Sequence, residues 1–154
     1  IHDIDILLSF APGRPERINA SGTSVISQSI DIANANILFD SGLEANLAAS
    51  RVSKEPMRTI TLYQDSKYVS LDSMNHELRF GRIKDGVKKD SSKSLTFEHG
   101  DTDILMEEVV SFLKAVKSGG TPKVTGEDGK RALQLAIDIS RRVSNSAAVT
   151  NLLP

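Results

Sequence analysis

The sequence predicts an α+β fold, in which a mostly antiparallel open sheet of about six or seven strands carries helices packed on one face. Short segments that alternate apolar and polar residues follow one another with only turns between them, which indicates antiparallel neighbours. Helical periodicity is confined to the two ends of the chain, so helices and strands are segregated. The length of 154 residues suits one domain, and we expect residues 1–154 to form it.

The chain opens with a short helix. Ile4, Leu7, Leu8 and Ala11 recur at helical spacing over residues 3–10, and the prolines and glycine of residues 12–15 end the pattern. This helix is expected to pack through one apolar face.

The strands come next, and the clearest of them form a hairpin around Asp40-Ser41-Gly42. The predicted strands cover residues 16–25, 30–39, 43–52, 58–64, 67–71, 76–83 and 94–99. The polar stretch 84–93 has no period, and we predict a mobile loop there.

Two longer helices close the chain. The first is predicted over residues 103–117, with Asp101 or Thr102 as its N-cap and Ser118-Gly119-Gly120 ending it. The second begins at the capping residue Thr125, where Glu127 and Asp128 suit the positive end of a helix dipole.

Composition excludes several classes of function. The net charge of −1 and the lack of a basic stripe argue against a nucleic-acid partner, and no apolar run is long enough for a membrane span. The absence of cysteine rules out disulfides and thiolate metal sites and fits a cytoplasmic protein. Apolar residues at adjacent strand positions, such as Leu47, Ala48 and Ala49, suggest that the second sheet face is also covered, as in a homodimer or homotetramer.

The first turn carries the best candidate for chemistry. His2 is the side chain suited to proton transfer near neutral pH, and Asp5 lies three residues later on the same helix face. The alternative is a helix cap with a solvated polar face. A zinc site is not predicted, because no motif spacing relates His2 to His76 or His99.

Arg51 is the second candidate, because an arginine that faces a cleft from a sheet can hold a carboxylate or phosphate with two hydrogen bonds. The alternative is an ion pair with Glu44, Glu55 or a neighbouring strand.

Three segments resemble one family: HDIDILLSF after Ile1, SIDIANANILFDSGLEANLAASRVS at 29–53, and EEVVSFLKAVKSGGTPKVTGEDGKRALQLAIDIS at 107–140. They are similar to the C-terminal domain of the glucose–fructose oxidoreductase, inositol dehydrogenase and rhizopine-catabolism (Gfo/Idh/MocA) family. The resemblance implies an oxidoreductase that moves hydride between NAD or NADP and a sugar, cyclitol or nucleotide-sugar. It also implies that an N-terminal Rossmann domain, absent from this chain, binds the cofactor, so the fragment alone is expected to be inactive.

The resemblance also suggests roles for residues. His2 matches the family's catalytic histidine, and Asp5 matches an acidic position that often touches substrate hydroxyls. The family's catalytic lysine and aspartate would precede residue 1.

Three shorter runs, ASRVS, MRTITLYQ and KYVSLD, resemble the subgroup that acts on nucleotide-sugars such as UDP-N-acetylglucosamine, in which Arg51 and Arg58 would face the substrate. A non-catalytic ligand-binding or assembly module with the same fold is the alternative.

Overall fold

A computed structural model of the chain describes residues 1–11, 13–84, 87–96 and 103–150. The elements in order are α1 (His2–Phe10), β1 (Pro15–Thr23), β2 (Ile32–Phe39), β3 (Glu44–Ser50), β4 (Thr59–Gln64), β5 (Lys67–Asp72), β6 (Glu77–Lys84), β7 (Val87–Thr96), α2 (Ile104–Ser118) and α3 (Gly126–Thr150). The chain divides into two compact units, one formed by Ile1–Ser53 with Ser111–Pro154 and the other by Lys54–Val110.

The predicted α+β class with antiparallel strands is confirmed. One open sheet of six or seven strands is not confirmed. The seven strands of the described residues form two sheets, with orders β1-β2-β3 and β4-β5-β6-β7.

The first unit is built on the three-stranded sheet. From Ala35 onward every second residue of β2 is buried, namely Ala35, Ile37 and Phe39, which is the alternation expected when one sheet face is covered. Helix α3 packs against β1, and α1 packs against α3. Leu135 of α3 joins Ala11, Ile37 and Phe39 in the core.

The β2–β3 hairpin forms where it was predicted. The Phe39 N–H donates to the Leu43 carbonyl at 2.9 Å, and Gly42 adopts a φ of +83° that favours glycine. Outside the covered face, the amide of Asn36 donates to its cross-strand neighbour Asn46 at 2.9 Å.

Helix α3 begins at the predicted cap. The Thr125 hydroxyl accepts the Asp128 N–H at 3.2 Å, while the Asp128 carboxylate accepts the Thr125 N–H at 2.9 Å. This reciprocal pairing satisfies backbone groups that a helix start leaves without partners. The Asp128 carboxylate also accepts the Thr125 hydroxyl at 2.6 Å. This hydrogen bond, followed by that from the Thr125 N–H, lowers the pKa of Asp128.

The second unit contains the four-stranded sheet, and here one prediction is wrong. Residues 84–93 were expected to form a loop, but Lys84 ends β6 and residues 87–93 lie in β7, paired antiparallel with β6. Residues 85–86 of the predicted loop and 97–99 of the predicted last strand lie outside the described residues.

Helix α2 begins one residue after the predicted start. Its cap is Asp103, whose carboxylate accepts the N–H groups of Leu105 and Met106 at 3.0 and 3.2 Å. The predicted caps Asp101 and Thr102 lie outside the described residues. Gly119, with a φ of +65°, follows the helix as expected. Among the described helices, none is both long and apolar enough to cross a membrane.

Candidate functional site

Helix α1 presents the predicted histidine at its first position. His2 is exposed, and Asp5, one turn further along, is half-buried. Ile1 is the N-cap residue and makes no side-chain cap hydrogen bond, so neither His2 nor Asp5 serves as the N-cap. The alternative interpretation of these residues was a helix cap with a solvated polar face, and only the solvated polar face agrees with the structure.

His2 and Asp5 share a helix face without a hydrogen bond between them in the described contacts. The backbone N–H of Asp5 donates to the Ile1 carbonyl at 2.9 Å, which fixes the turn that carries both side chains. An exposed imidazole beside a carboxylate can exchange a proton with a bound hydroxyl group and hold the resulting charge.

A buried carboxylate that sequence reasoning missed organises the loop between β1 and β2. Asp31 is 4% exposed and accepts the backbone N–H groups of Val25, Ile26 and Ser27 at 2.7, 2.8 and 2.9 Å. It also accepts the Ser27 hydroxyl at 2.7 Å. These hydrogen bonds, those from Val25 and Ile26 first, hold the pKa of Asp31 well below its usual range.

Arg51 follows β3 and joins this loop. Its backbone N–H donates to the Asp31 carbonyl at 3.0 Å, and its guanidinium lies 3.3 Å from the Ser29 hydroxyl and 3.9 Å from the Asp31 carboxylate. The alternative predicted for Arg51, an ion pair with Glu44, Glu55 or a neighbouring strand, is thus present in its third form, because Asp31 lies in the predicted strand 30–39. The side chain is still 61% exposed, which leaves guanidinium surface facing solvent.

Arg58 lies in the second unit, just before β4. Its carbonyl accepts the N–H and the hydroxyl of Ser73 at 2.9 and 3.1 Å, which ties the start of β4 to the end of β5. His2, Asp5 and Arg51 belong to the first unit. The described contacts join neither helix residue to Arg51.

The residues of this chain do not fit the pyrophosphate site of a dinucleotide cofactor. The printed sequence contains no G-x-G-x-x-G, the turn that lets a helix N-terminus approach a pyrophosphate. Acidic side chains occupy the helix starts instead, with Asp103 capping α2 and Asp128 at α3. Among the described residues there is also no cluster of histidine and carboxylate side chains able to hold a metal ion.

Comparison with known proteins gives sequence relatives of one kind. The chain is 28% identical over 141 residues to UDP-N-acetylglucosamine 3-dehydrogenase of Acidithiobacillus ferrooxidans, covering 90% of this chain and 45% of that protein. It is also 28% identical to myo-inositol 2-dehydrogenase of Thermotoga maritima, covering 97% of this chain and 46% of the relative. The chain thus spans about half the length of the curated relatives it matches. No protein-family model matches it.

Solved structures agree with these relatives. A structure of the A. ferrooxidans UDP-N-acetylglucosamine 3-dehydrogenase superposes with a TM-score of 0.81 at 28% identity, over 94% of this chain and 46% of that one. Levoglucosan dehydrogenase in complex with NADH superposes with a TM-score of 0.74 at 16% identity, a likeness of fold alone. The resemblance predicted from the sequence is confirmed.

Proposed function

We propose that this chain is a C-terminal domain of the Gfo/Idh/MocA oxidoreductase type and that it forms the substrate side of an NAD(P)-dependent dehydrogenase. The observation that carries the proposal is the match of nearly the whole chain to about half of two dehydrogenases of hydroxylated rings. The substrate class is a sugar, cyclitol or nucleotide-sugar. A substrate like UDP-N-acetylglucosamine is the most specific choice, because that relative matches in both sequence and structure.

His2 is the proposed catalytic residue. Oxidation of a secondary alcohol requires that the hydroxyl proton be taken up as hydride leaves the carbon, and an exposed imidazole at the start of α1 suits that task. Asp5, on the same face, would accept hydrogen bonds from substrate hydroxyls, which are strong when the acceptor is charged.

Arg51 and Arg58 are the proposed substrate-binding cations. The exposed part of the Arg51 guanidinium can donate hydrogen bonds to a diphosphate or a sugar. The contacts of the guanidinium with Asp31 and Ser29 fix its orientation. Arg58 is exposed in the second unit, where its backbone is held by Ser73.

NAD or NADP would bind to a separate N-terminal Rossmann domain and accept the hydride there. We further propose a cytoplasmic homodimer or homotetramer that assembles through a sheet face, without nucleic-acid or membrane partners. The competing function is a ligand-binding or assembly module without catalysis, favoured by the lack of a cofactor motif in this chain.

Turnover of the full-length protein tests the proposal. NADH or NADPH formation would be followed with UDP-N-acetylglucosamine and a panel of sugars and cyclitols. We expect His2→Ala to lower kcat about 10²–10⁴-fold, the usual contribution of a general base. His76→Asn is the matched control, because His76 lies in a turn with a φ of +51°, which asparagine tolerates.

Three results separate the possibilities. Turnover that collapses only in His2→Ala, with unchanged melting temperature, supports the dehydrogenase and the role of His2. Turnover that survives in His2→Ala would support the dehydrogenase but contradict the catalytic role proposed for His2. No turnover and no nucleotide binding by the full-length protein would favour the assembly module.

A further inference from the structure

A chain of hydrogen bonds joins the Arg51 guanidinium to the buried Asp31 carboxylate. Nη1 of Arg51 donates to the Ser29 hydroxyl at 3.3 Å, and the hydroxyls of Ser29 and Ser27 lie 3.0 Å apart. The Ser27 hydroxyl then donates to Asp31 at 2.7 Å. All four residues belong to the first unit, and both serines are exposed. The guanidinium and the two hydroxyls therefore form one polar surface, and the buried carboxylate sets its orientation.

Asp31 does not depend on Arg51 for its stabilisation. Its carboxylate has no exposed surface and already accepts three backbone N–H groups and the Ser27 hydroxyl. Nε of Arg51 lies 3.9 Å from that carboxylate, beyond hydrogen-bond distance. The described contacts give Nη2 of Arg51 no partner, and the side chain is largely exposed. Arg51 is thus a fixed cation that has donors left for an external anion.

The donors of this surface suit a phosphate group. A guanidinium binds phosphate oxygens with two parallel hydrogen bonds, and the charges make such bonds about twice as strong as neutral ones. The Ser29 hydroxyl accepts from Arg51 and can direct its own hydrogen to a further phosphate oxygen. A sugar or cyclitol hydroxyl carries no charge to match the guanidinium. The surface therefore favours a substrate that carries phosphate.

We propose that Arg51 and Ser29 bind the diphosphate of a nucleotide-sugar and select this substrate class over free sugars and cyclitols. Ser27 and Asp31 are positioning residues, because they act through Ser29 and the loop without touching the substrate. The inference rests on the proposed function, in which this chain forms the substrate side of a dehydrogenase, and it narrows the substrate class.

Binding of UDP-N-acetylglucosamine tests the phosphate contact. The full-length protein is used, because one guanidinium and one hydroxyl supply only part of the affinity and contacts with the sugar must supply the rest. NADH is present, since the reduced cofactor fills its site without allowing the substrate to be oxidised. Isothermal titration calorimetry measures the affinity, and competition against UDP-N-acetylglucosamine measures the affinity for N-acetylglucosamine, which carries no phosphate.

Two variants remove the proposed contacts one at a time. We expect Arg51→Lys to lower the affinity for UDP-N-acetylglucosamine at least about tenfold, because lysine keeps the charge but loses the two-pronged geometry. Ser29→Ala should lower it about fivefold, the usual contribution of one hydrogen bond. The affinity for N-acetylglucosamine should stay unchanged in both variants.

Two further variants serve as controls. Arg17→Lys makes the same replacement at an exposed arginine of β1, and Gln28→Ala removes an exposed side chain between the two serines. Neither should change the affinity for UDP-N-acetylglucosamine. Circular dichroism and the melting temperature check that Arg51→Lys and Ser29→Ala remain folded. A purely structural role of these residues would lower the affinity for both ligands alike.

The results separate this inference from the dehydrogenase proposal. A selective loss of UDP-N-acetylglucosamine affinity supports the phosphate contact. An equal loss for both ligands, no loss in Arg51→Lys, or a wild-type protein that does not bind UDP-N-acetylglucosamine would overturn it. Binding that depends on Arg51 without any turnover would support the phosphate contact and contradict the dehydrogenase. Turnover that is independent of Arg51 and Ser29 would support the dehydrogenase and contradict the phosphate contact.

Discussion

Asp31 is the residue on which the β1–β2 loop depends, and it sets a prediction about stability and pH. Replacement by asparagine keeps the shape but removes the charge that three backbone N–H groups and a hydroxyl share. We expect Asp31→Asn to lower the melting temperature by at least about 4 °C, because hydrogen bonds to charged groups are stronger than neutral ones. Differential scanning calorimetry at neutral pH measures the shift.

The pH dependence follows from the direction of the pKa shift. The pKa of Asp31 is lowered on folding, so its contribution to stability is fully present above the ordinary aspartate pKa of 3.8. That contribution is lost as the pH falls further toward the lowered value. The difference in melting temperature between wild type and Asp31→Asn should therefore narrow below about pH 4.

Asp40→Asn is the control, since exposed Asp40 accepts one backbone N–H, from Arg14, at 2.9 Å. Equal shifts in the two variants at neutral pH would contradict the role given to Asp31.

His2 and Asp31 differ in how much of their surroundings the sequence predicts. His2 and Asp5 were predicted to share a helix face because i and i+3 spacing is a property of the helix alone. Asp31 was missed because its three backbone donors converge only when the loop at 24–30 closes around it. The serines at 27 and 29, which precede an aspartate, were the available indication of such a loop.

Helix α3 approaches β1 closely at Gly22, and this contact predicts how a larger residue there would change stability. A Cβ atom on Gly22 would lie 2.5 Å from the Val143 side chain and 2.8 Å from that of Ile30. We expect Gly22→Ala to lower the free energy of unfolding by about 1–3 kcal/mol, because the helix must move away from the strand. Urea unfolding followed by circular dichroism measures the change.

Gly129→Ala serves as the comparison within α3. No atom lies within 4 Å of a Cβ at Gly129, so alanine should raise the free energy of unfolding by about 0.5–1 kcal/mol through its better helix propensity. A neutral or stabilising Gly22→Ala would show that α3 does not approach β1 this closely.

Elements were predictable where the determinants are local. The Gly42 turn and the Thr125 cap each depend on a few adjacent residues, and both are confirmed. The strand over residues 87–93 was missed because its polar sequence has no alternation of its own. Pairing with β6 supplies its backbone hydrogen bonds, and tertiary context of this kind overrides local propensity.

At the scale of the molecule, the similarity covers about half of each relative, and the sequence of this chain has no dinucleotide-binding fingerprint. Dinucleotide sites place a pyrophosphate at a free helix N-terminus behind a glycine-rich turn. Asp103 and Asp128 instead place carboxylates at the starts of α2 and α3, and α1 has Asp3 and Asp5 in its first turn.

We therefore expect the 154-residue chain to bind neither NADH nor NADPH. The carboxylates at its helix starts repel a pyrophosphate and already accept N–H groups that would otherwise hold it. Titration of the chain with NADH, followed by the nicotinamide fluorescence, should show no saturable change, whereas the full-length protein should show one. Saturable binding by the isolated chain would assign a nucleotide site to this half and contradict the proposed division of labour between the two domains.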